Sequence, residues 1–295
     1  MKCCFLSLLL LLGVQLANAQ NSVFADFESD EFQFRGKKAI VVKPTIAHTN
    51  KHWVWRARFW GHEPQLDKAL LDEGFHIVYV DVGNLFGNQE AVEIWNDFYK
   101  FVRKKYGLNE KVVLEGMSRG GLIIFNWAAQ NTEKVACIYA DAPVCDIRSW
   151  PGGKFSGKGS EADWQKCLTA YNITEEAPTY EQVPLFTCIT VAKASIPTIF
   201  VCGDTDDVVP FTENAELVIE TMKANGNPPT LILKKGIGHH PHSLEDPTPI
   251  KDFILNYKVD GIDLDLERSV YMCPSVNQTI TNPAPQWDYI IDAVK

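Results

Sequence analysis

Beyond its first residues, the 295-residue chain has no apolar run long enough to cross a bilayer. Even the run from Phe5 to Val14 falls short of the ~20 residues that a spanning helix needs. A stable membrane anchor is therefore not expected. An excess of positive charge is also missing, since 28 Lys and Arg face 37 Asp and Glu for a formal net charge of −9. A surface of that sign repels polyanions, which argues against nucleic acid as a partner. None of the eight cysteines stands at zinc-site spacing, and neither a metal nor a cofactor is expected. Internal repeats are absent too. With 46% hydrophobic and 22% charged residues, the composition fits neither a disordered tract nor a fibrous chain.

What is present begins with a leader-like segment. Lys2 supplies positive charge, the run to Val14 supplies the apolar core, and Ala17-Asn18-Ala19 has the small-x-small pattern of a cleavage site. Residues 1–19 are read as a signal peptide, Gln20 as the first mature residue, and the protein as secreted or periplasmic. Cys137 and Cys202 lie in apolar strand-like runs and read as buried thiols. Cys145, Cys167, Cys188 and Cys273 lie in loop-like sequence, where an oxidising compartment allows a bridge of unassigned pairing. Asn172-Ile173-Thr174 and Asn277-Gln278-Thr279 are glycosylation sequons that count only in a glycosylating host.

From residue 31 onward, strand-like and helix-like segments alternate, the pattern of a mostly parallel sheet with helices on both faces. Residues 31–34 and 38–43 flank Arg35-Gly36 as an opening hairpin, and residues 53–59 form a third strand candidate. A helix is expected to start near Glu63-Pro64 and end at Gly74, followed by strand 76–82, helix 90–106, strand 112–115, helix 122–129 and strand 135–140. Strand 198–202, helix 213–224, strand 230–234 and helix 249–257 complete the pattern. Residues 143–195, rich in Gly, Pro and Trp around Trp150, fit no strand–helix unit and are read as a cap or lid insertion. The irregular tail 259–295 has no assigned role. Residues 20–295 are taken as one catalytic domain.

The chemistry enters at Gly116-Met117-Ser118-Arg119-Gly120, which joins a strand directly to a helix. This is the G-x-S-x-G elbow, where glycines spare the tight turn from side-chain collisions and lift the serine to the sheet edge beside helix N–H groups. A serine hydroxyl is a weak nucleophile, so a base and an orienting acid are needed further along. Strand 198–202 leads into Gly203-Asp204-Thr205-Asp206-Asp207, and strand 230–234 leads into Gly238-His239-His240-Pro241-His242. Ser, Asp and His thus follow one another at strand ends. On residue type alone, Asp204, Asp206 and Asp207 all qualify as the acid, and His239, His240 and His242 as the base. A metal site among the histidines is disfavoured because no further ligand stands nearby in sequence.

With these motifs in this order, residues 37–257 resemble the α/β-hydrolase superfamily, in particular its secreted esterase and prolyl-oligopeptidase-like branches. The resemblance implies Asp206 as the acid and His239 as the base. It also implies an oxyanion hole from the backbone N–H of Arg119 and of a residue after the third strand, either Phe59 or Arg58. That loop, Ala57-Arg58-Phe59-Trp60-Gly61, departs from the His-Gly pattern common in relatives. Arg58, Trp60 and Trp150 are candidate substrate-binding residues. Arg56 and Arg119 bring further positive charge, with structural ion pairs as the alternative role, while Trp53 and Trp55 share one strand face and read as core. The expected function is a serine hydrolase acting on a small-molecule or carbohydrate carboxylic ester. A prolyl-oligopeptidase-like peptidase and a non-catalytic hydrolase-fold binding protein are the alternatives.

Overall fold

Arg35 and Gly36 both adopt left-handed backbone angles, φ 49° and 74°, the twist that a two-residue hairpin turn needs. They join strands β1 (Ser29–Phe34) and β2 (Lys37–Val42), which pair antiparallel at one edge of the sheet. The computed structural model describes residues 23–175 and 183–257. The leader, the tail after residue 257, Cys273 and the second sequon lie outside them.

Six further strands complete the sheet: β3 (Trp53–Arg56), β4 (His76–Val80), β5 (Val112–Met117), β6 (Val135–Asp141), β7 (Thr198–Gly203) and β8 (Thr230–Lys234). The spatial order is β1-β2-β4-β3-β5-β6-β7-β8, with β3 to β8 all parallel. The chain steps from β3 outward to β4 and then crosses to β5 on the other side of β3. Such a reversal leaves a crevice at the carboxyl ends of the two central strands, the usual place for a site in an open α/β sheet. The residues that follow β3 and β5 are Ala57–Gly61 and Ser118.

Alternate side chains face opposite layers, which explains why the parallel strands read as continuous apolar runs. On one face Trp53, Trp55, Val78 and Leu114 pack in one cluster with residues of α2 (Gln89–Tyr106), α3 (Gly120–Gln130), α5 (Pro184–Lys193) and α6 (Ala215–Ala224). On the other, Val54, Ile77 and Val113 meet α1 (Gln65–Asp72) and α7 (Thr248–Asn256). Trp55 stacks on Trp95 of α2 at 3.9 Å and 12°, so Trp53 and Trp55 are core. Helix α2 is bounded as its sequence dictates: the Asn88 side chain accepts from the Ala91 N–H at 3.0 Å, and Gly107 ends the helix at φ 67°.

Three expectations change. Strand β3 stops at Arg56 rather than Phe59, because Phe59 takes a left-handed angle, φ 53°, and the chain turns there with the His62 N–H donating to the Phe59 carbonyl at 3.0 Å. The stretch 143–195 is not one insertion. Helix α5 packs on α3 and α6 and belongs to the ordinary helical layer between β6 and β7, whereas α4 (Glu161–Tyr171) sits against the turn at Gly83–Leu85. Tyr171 OH donates to the Phe86 carbonyl at 2.9 Å and Asn88 Nδ2 to the Ala170 carbonyl at 2.5 Å, tying α4 to that turn. Finally, Cys137, Cys145, Cys167, Cys188 and Cys202 are all free and buried, two of them on helices that the sequence presented as loops. No bridge joins any of the described cysteines.

Candidate active site

Ser118 occupies the junction between β5 and α3 with φ 49°, a left-handed angle that L-residues adopt at a cost. The turn is held by three backbone bonds: the Ser118 N–H donates to the Asp141 carbonyl at 2.8 Å, and the Ser118 carbonyl accepts from Gly121 and Val144, each at 2.9 Å. The glycines divide the steric work differently from the sequence expectation. A β-carbon on Gly116 would lie 2.6 Å from Ile124 Cδ1 and 2.8 Å from the Gly120 carbonyl oxygen. One on Gly120 would meet only ordinary contacts at 3.4 Å, but one on Gly121 would lie 2.5 Å from Pro143 Cβ. Gly121, not Gly120, is the second position that must stay bare.

His239 and Asp206 meet this serine from the two neighbouring loops. His239 Nε2 is 3.0 Å from Ser118 Oγ, and its Nδ1 is 2.7 Å from Asp206 Oδ2. The other carboxylate oxygen, Oδ1, accepts from the backbone N–H of Val208 at 2.9 Å and Val209 at 2.8 Å, so Asp206 is fixed before it engages the imidazole. Gly203, at the end of β7, makes the approach of the two loops possible. A β-carbon there would lie 2.2 Å from the Ile237 carbonyl oxygen and 2.3 Å from that of Gly238.

The competing acids and bases have other work. Asp204 Oδ1 accepts from the Gly236 N–H at 2.6 Å, and Asp207 pairs at the surface with Lys158 at 2.5 Å, a hydrogen bond that holds its carboxyl below the usual range. His242 is buried and its Nδ1 lies 2.5 Å from Asp141 Oδ1. Asp141 also accepts from Tyr139 OH at 2.7 Å and from the Ser243 N–H at 2.8 Å. Burial pushes the Asp141 carboxyl upward, but His242 first, then the charge of Lys234 and the hydrogen bond from Tyr139, together outweigh it and hold it below the usual carboxylate range. His240 is exposed.

Phe59, Trp60, His62, Ser118, His239, His240 and His242 line a cleft of about 350 Å³ above the serine hydroxyl. Among the described residues, the backbone N–H groups of Arg119 and Phe59 donate to no backbone carbonyl, which leaves both free for an oxyanion. Trp60 lines the cleft, backed by Phe24 at 5.0 Å and Tyr79 at 5.4 Å.

Arg58 and Trp150, expected as substrate-binding residues, lie outside that cleft. Arg58 Nη1 faces Asp81 at 3.5 Å, and Trp150 sits behind Arg119, whose guanidinium is boxed between the rings of Phe59, Phe86 and Trp150 at 5.5–5.8 Å. Burial lowers the Arg119 pKa, although the charge stays. Arg56 is structural: fully buried, it pairs with Asp67 and, at 3.0 Å, with Glu115, and donates to the His62 carbonyl.

His62 is the pocket residue that sequence reading missed. Its signal was present, one position after Gly61 in the loop that follows β3, but nothing in the sequence marks that loop as the neighbour of His240 and His242. The three histidines offer ring nitrogens that all lie within 4.8 Å of one another, a candidate metal-ligand set among the described residues. Burial chiefly, then the neighbouring imidazoles, lowers the pKa of His62 and His240.

Comparison with known proteins agrees with this architecture. The chain is similar to the acylaminoacyl peptidase of Pyrococcus horikoshii at 18% identity and TM-score 0.56, over 79% of this chain and 40% of that one. A puromycin-hydrolyzing peptidase of Mycobacterium tuberculosis matches at 15% identity and TM-score 0.58, over 77% and 37%. Dipeptidyl peptidase 4 of Porphyromonas gingivalis matches at 14% identity and TM-score 0.58, over 78% and 35%. These likenesses establish the fold, and this chain spans less than half the length of each. Among curated proteins nothing matches. The sequence pattern of the prolyl oligopeptidase family matches residues 73–257, well over half of the chain, so this protein belongs to the prolyl oligopeptidase family within the α/β-hydrolase superfamily.

Proposed function

We propose that the chain is a serine hydrolase that cleaves a peptide-type amide through an acyl-enzyme formed on Ser118. The observation that carries the reading is the single imidazole of His239 within hydrogen-bond reach of both Ser118 Oγ and Asp206 Oδ2. In this reading His239 Nε2 takes the hydroxyl proton as Oγ attacks the acyl carbon. Asp206 holds the imidazole with Nδ1–H toward itself and balances the developing charge. The N–H groups of Arg119 and Phe59 receive the oxyanion. His239 then gives the proton to the departing amine, and a water activated by the same nitrogen releases the acyl group.

Family membership and the peptidases among similar structures support an amide over the carboxylic ester expected from sequence alone. One feature favours a second reading, a short neutral ester. None of the seven residues lining the cleft bears a carboxylate, Lys or Arg, and the volume of about 350 Å³ is at the small end for ligand pockets. An acylated carbohydrate is the form of that ester to try, with Trp60 as the flat face. Residues 143–171 are proposed to limit substrate size from the Arg119 side. Export is proposed on residues 1–19 alone, and N-terminal sequencing of secreted material should begin at Gln20.

The separating assay compares N-acylated amino-acid p-nitroanilides with p-nitrophenyl acetate and acetylated sugars, each with Ser118→Ala as control. Amide turnover that disappears in Ser118→Ala supports the peptidase reading. Ester turnover without any amide turnover replaces it with the esterase.

A further inference from the structure

We infer that His62, His240 and His242 form a site for one divalent transition-metal ion of the zinc class at the mouth of the cleft, and that its occupation blocks access to Ser118. The three side chains come from two loops. His62 follows β3, and His240 and His242 follow β8. Three imidazoles without a carboxylate select borderline ions such as Zn²⁺, Cu²⁺ or Ni²⁺ and reject Mg²⁺ and Ca²⁺, which demand oxygen.

The support beneath the ligands matches what a metal site needs. His242 is fixed through Nδ1 by the buried Asp141 at 2.5 Å, which turns Nε2 outward as its available ligand atom. A carboxylate behind a histidine is the usual arrangement in metal sites, since it sets the tautomer and raises the basicity of the ligating nitrogen. His62 is held through its backbone, donating to the Phe59 carbonyl at 3.0 Å and accepting from the Arg56 guanidinium. The rings already face one another edge to face: His62 lies 5.9 Å from His240 and 5.8 Å from His242, and His240 lies 4.8 Å from His242.

Zn–N bonds of about 2.0–2.1 Å place tetrahedral ligand nitrogens roughly 3.3 Å apart. From a present separation of at most 4.8 Å, small rotations of the exposed His62 and His240 rings close the set. His239 is not a ligand, because both its ring nitrogens are engaged with Ser118 and Asp206. Its ring nevertheless stands 4.8 Å from that of His242 and 5.0 Å from that of His240, so an ion held by the three neighbours sits beside the nucleophile. Three of the seven residues lining the cleft would be coordinated, which puts the ion in the path of an acyl group approaching Ser118.

The test uses the full chain after chelator treatment, with Zn²⁺ binding read by equilibrium dialysis and Ser118 reactivity by the labelling rate of a fluorophosphonate probe. Wild type, Ser118→Ala and His239→Ala should each bind one tight equivalent. His62→Asn and His240→Asn, both at exposed positions, should bind about tenfold more weakly or worse. Zn²⁺ should slow wild-type labelling, EDTA should restore it, and each Asn variant should need about tenfold more Zn²⁺ for the same fractional slowing of its own metal-free rate. Equal zinc affinity in wild type and both Asn variants, or loss of the tight equivalent in His239→Ala, overturns the site. Zinc that binds without slowing the probe overturns the blockade. Because dialysis reads binding even in Ser118→Ala, which has no nucleophile, failure of this inference is distinct from failure of the hydrolase reading.

Discussion

His242 and Asp141 form a second histidine–carboxylate pair one turn of loop away from the first, with Nδ1 2.5 Å from Oδ1 and both side chains buried. The pair anchors the histidine loop to the end of β6, while Asp141 uses its own carbonyl to hold the Ser118 N–H at 2.8 Å. One residue therefore braces both the nucleophile and the loop of its base.

Removing that brace should cost both stability and reactivity. Asp141→Asn replaces the buried carboxylate that faces His242 Nδ1 and accepts from Tyr139 OH and the Ser243 N–H with a neutral amide, a loss of about 1–3 kcal/mol in urea unfolding at pH 7. Because the folded-state carboxyl of Asp141 is held below its ordinary value of 3.8, its contribution is present above that pH and is lost as pH falls through the lowered value. The wild-type advantage should thus fade below about pH 4. An advantage that persists unchanged at pH 3 would contradict this account.

Asp206 and Asp207 stand side by side in sequence but face different partners. Asp206→Asn should lower turnover by about 10³–10⁴-fold, since the imidazole loses the acceptor that sets its tautomer. Asp207→Asn removes only an exposed contact to Lys158 and should leave turnover within about twofold. Steady-state kinetics on one substrate decides, and comparable losses in the two variants would reassign the acid.

Glu115 gives a pH signature of opposite sign. Burial, and then the charge of Asp67, hold its carboxyl well above the ordinary 4.5, with Arg56 only partly offsetting them. The folded protein therefore keeps a proton that the unfolded chain releases. The stability this proton supplies is complete below about pH 4.5 and is lost as pH rises through the folded value. Glu115→Gln lacks this loss, so the stability difference between variant and wild type should grow in the variant's favour from pH 4.5 upward. Denaturant titrations at pH 5 and pH 8 read it, and an unchanged difference refutes it.

The elbow glycines separate by sterics. Gly121→Ala must push Pro143 aside and should destabilise by about 1–3 kcal/mol, whereas Gly120→Ala meets contacts at 3.4 Å and should gain up to about 1 kcal/mol of helix propensity. Thermal unfolding of the two variants tests the ranking.

Much of this was legible in the sequence because it rests on local pattern. The buried parallel strands announce themselves as apolar runs, and the serine elbow, the aspartate loop and the histidine loop each follow a strand end. Asp206 and His239 needed the family resemblance to be singled out, since Asp204, Asp207, His240 and His242 carry the same chemistry at neighbouring positions. What stayed hidden depends on which loops the sheet order brings together. His62 joins His240 and His242 only because β3 lies inside the sheet beside β5, and Arg58 leaves the cleft because Asp81 follows the adjacent β4. The Gly, Pro and Trp content between β6 and β7 obscures helices α4 and α5, so that Cys167 and Cys188, which lie on them, read as loop residues in sequence.

The most direct test is mass-spectrometric mapping of a fluorophosphonate adduct on wild type, Ser118→Ala and His239→Gln. The geometry of one imidazole bridging Ser118 and Asp206 predicts a single adduct on Ser118, none in Ser118→Ala, and labelling slowed by about 10³-fold or more in His239→Gln. An adduct on another residue, or labelling in His239→Gln at the wild-type rate, would contradict it.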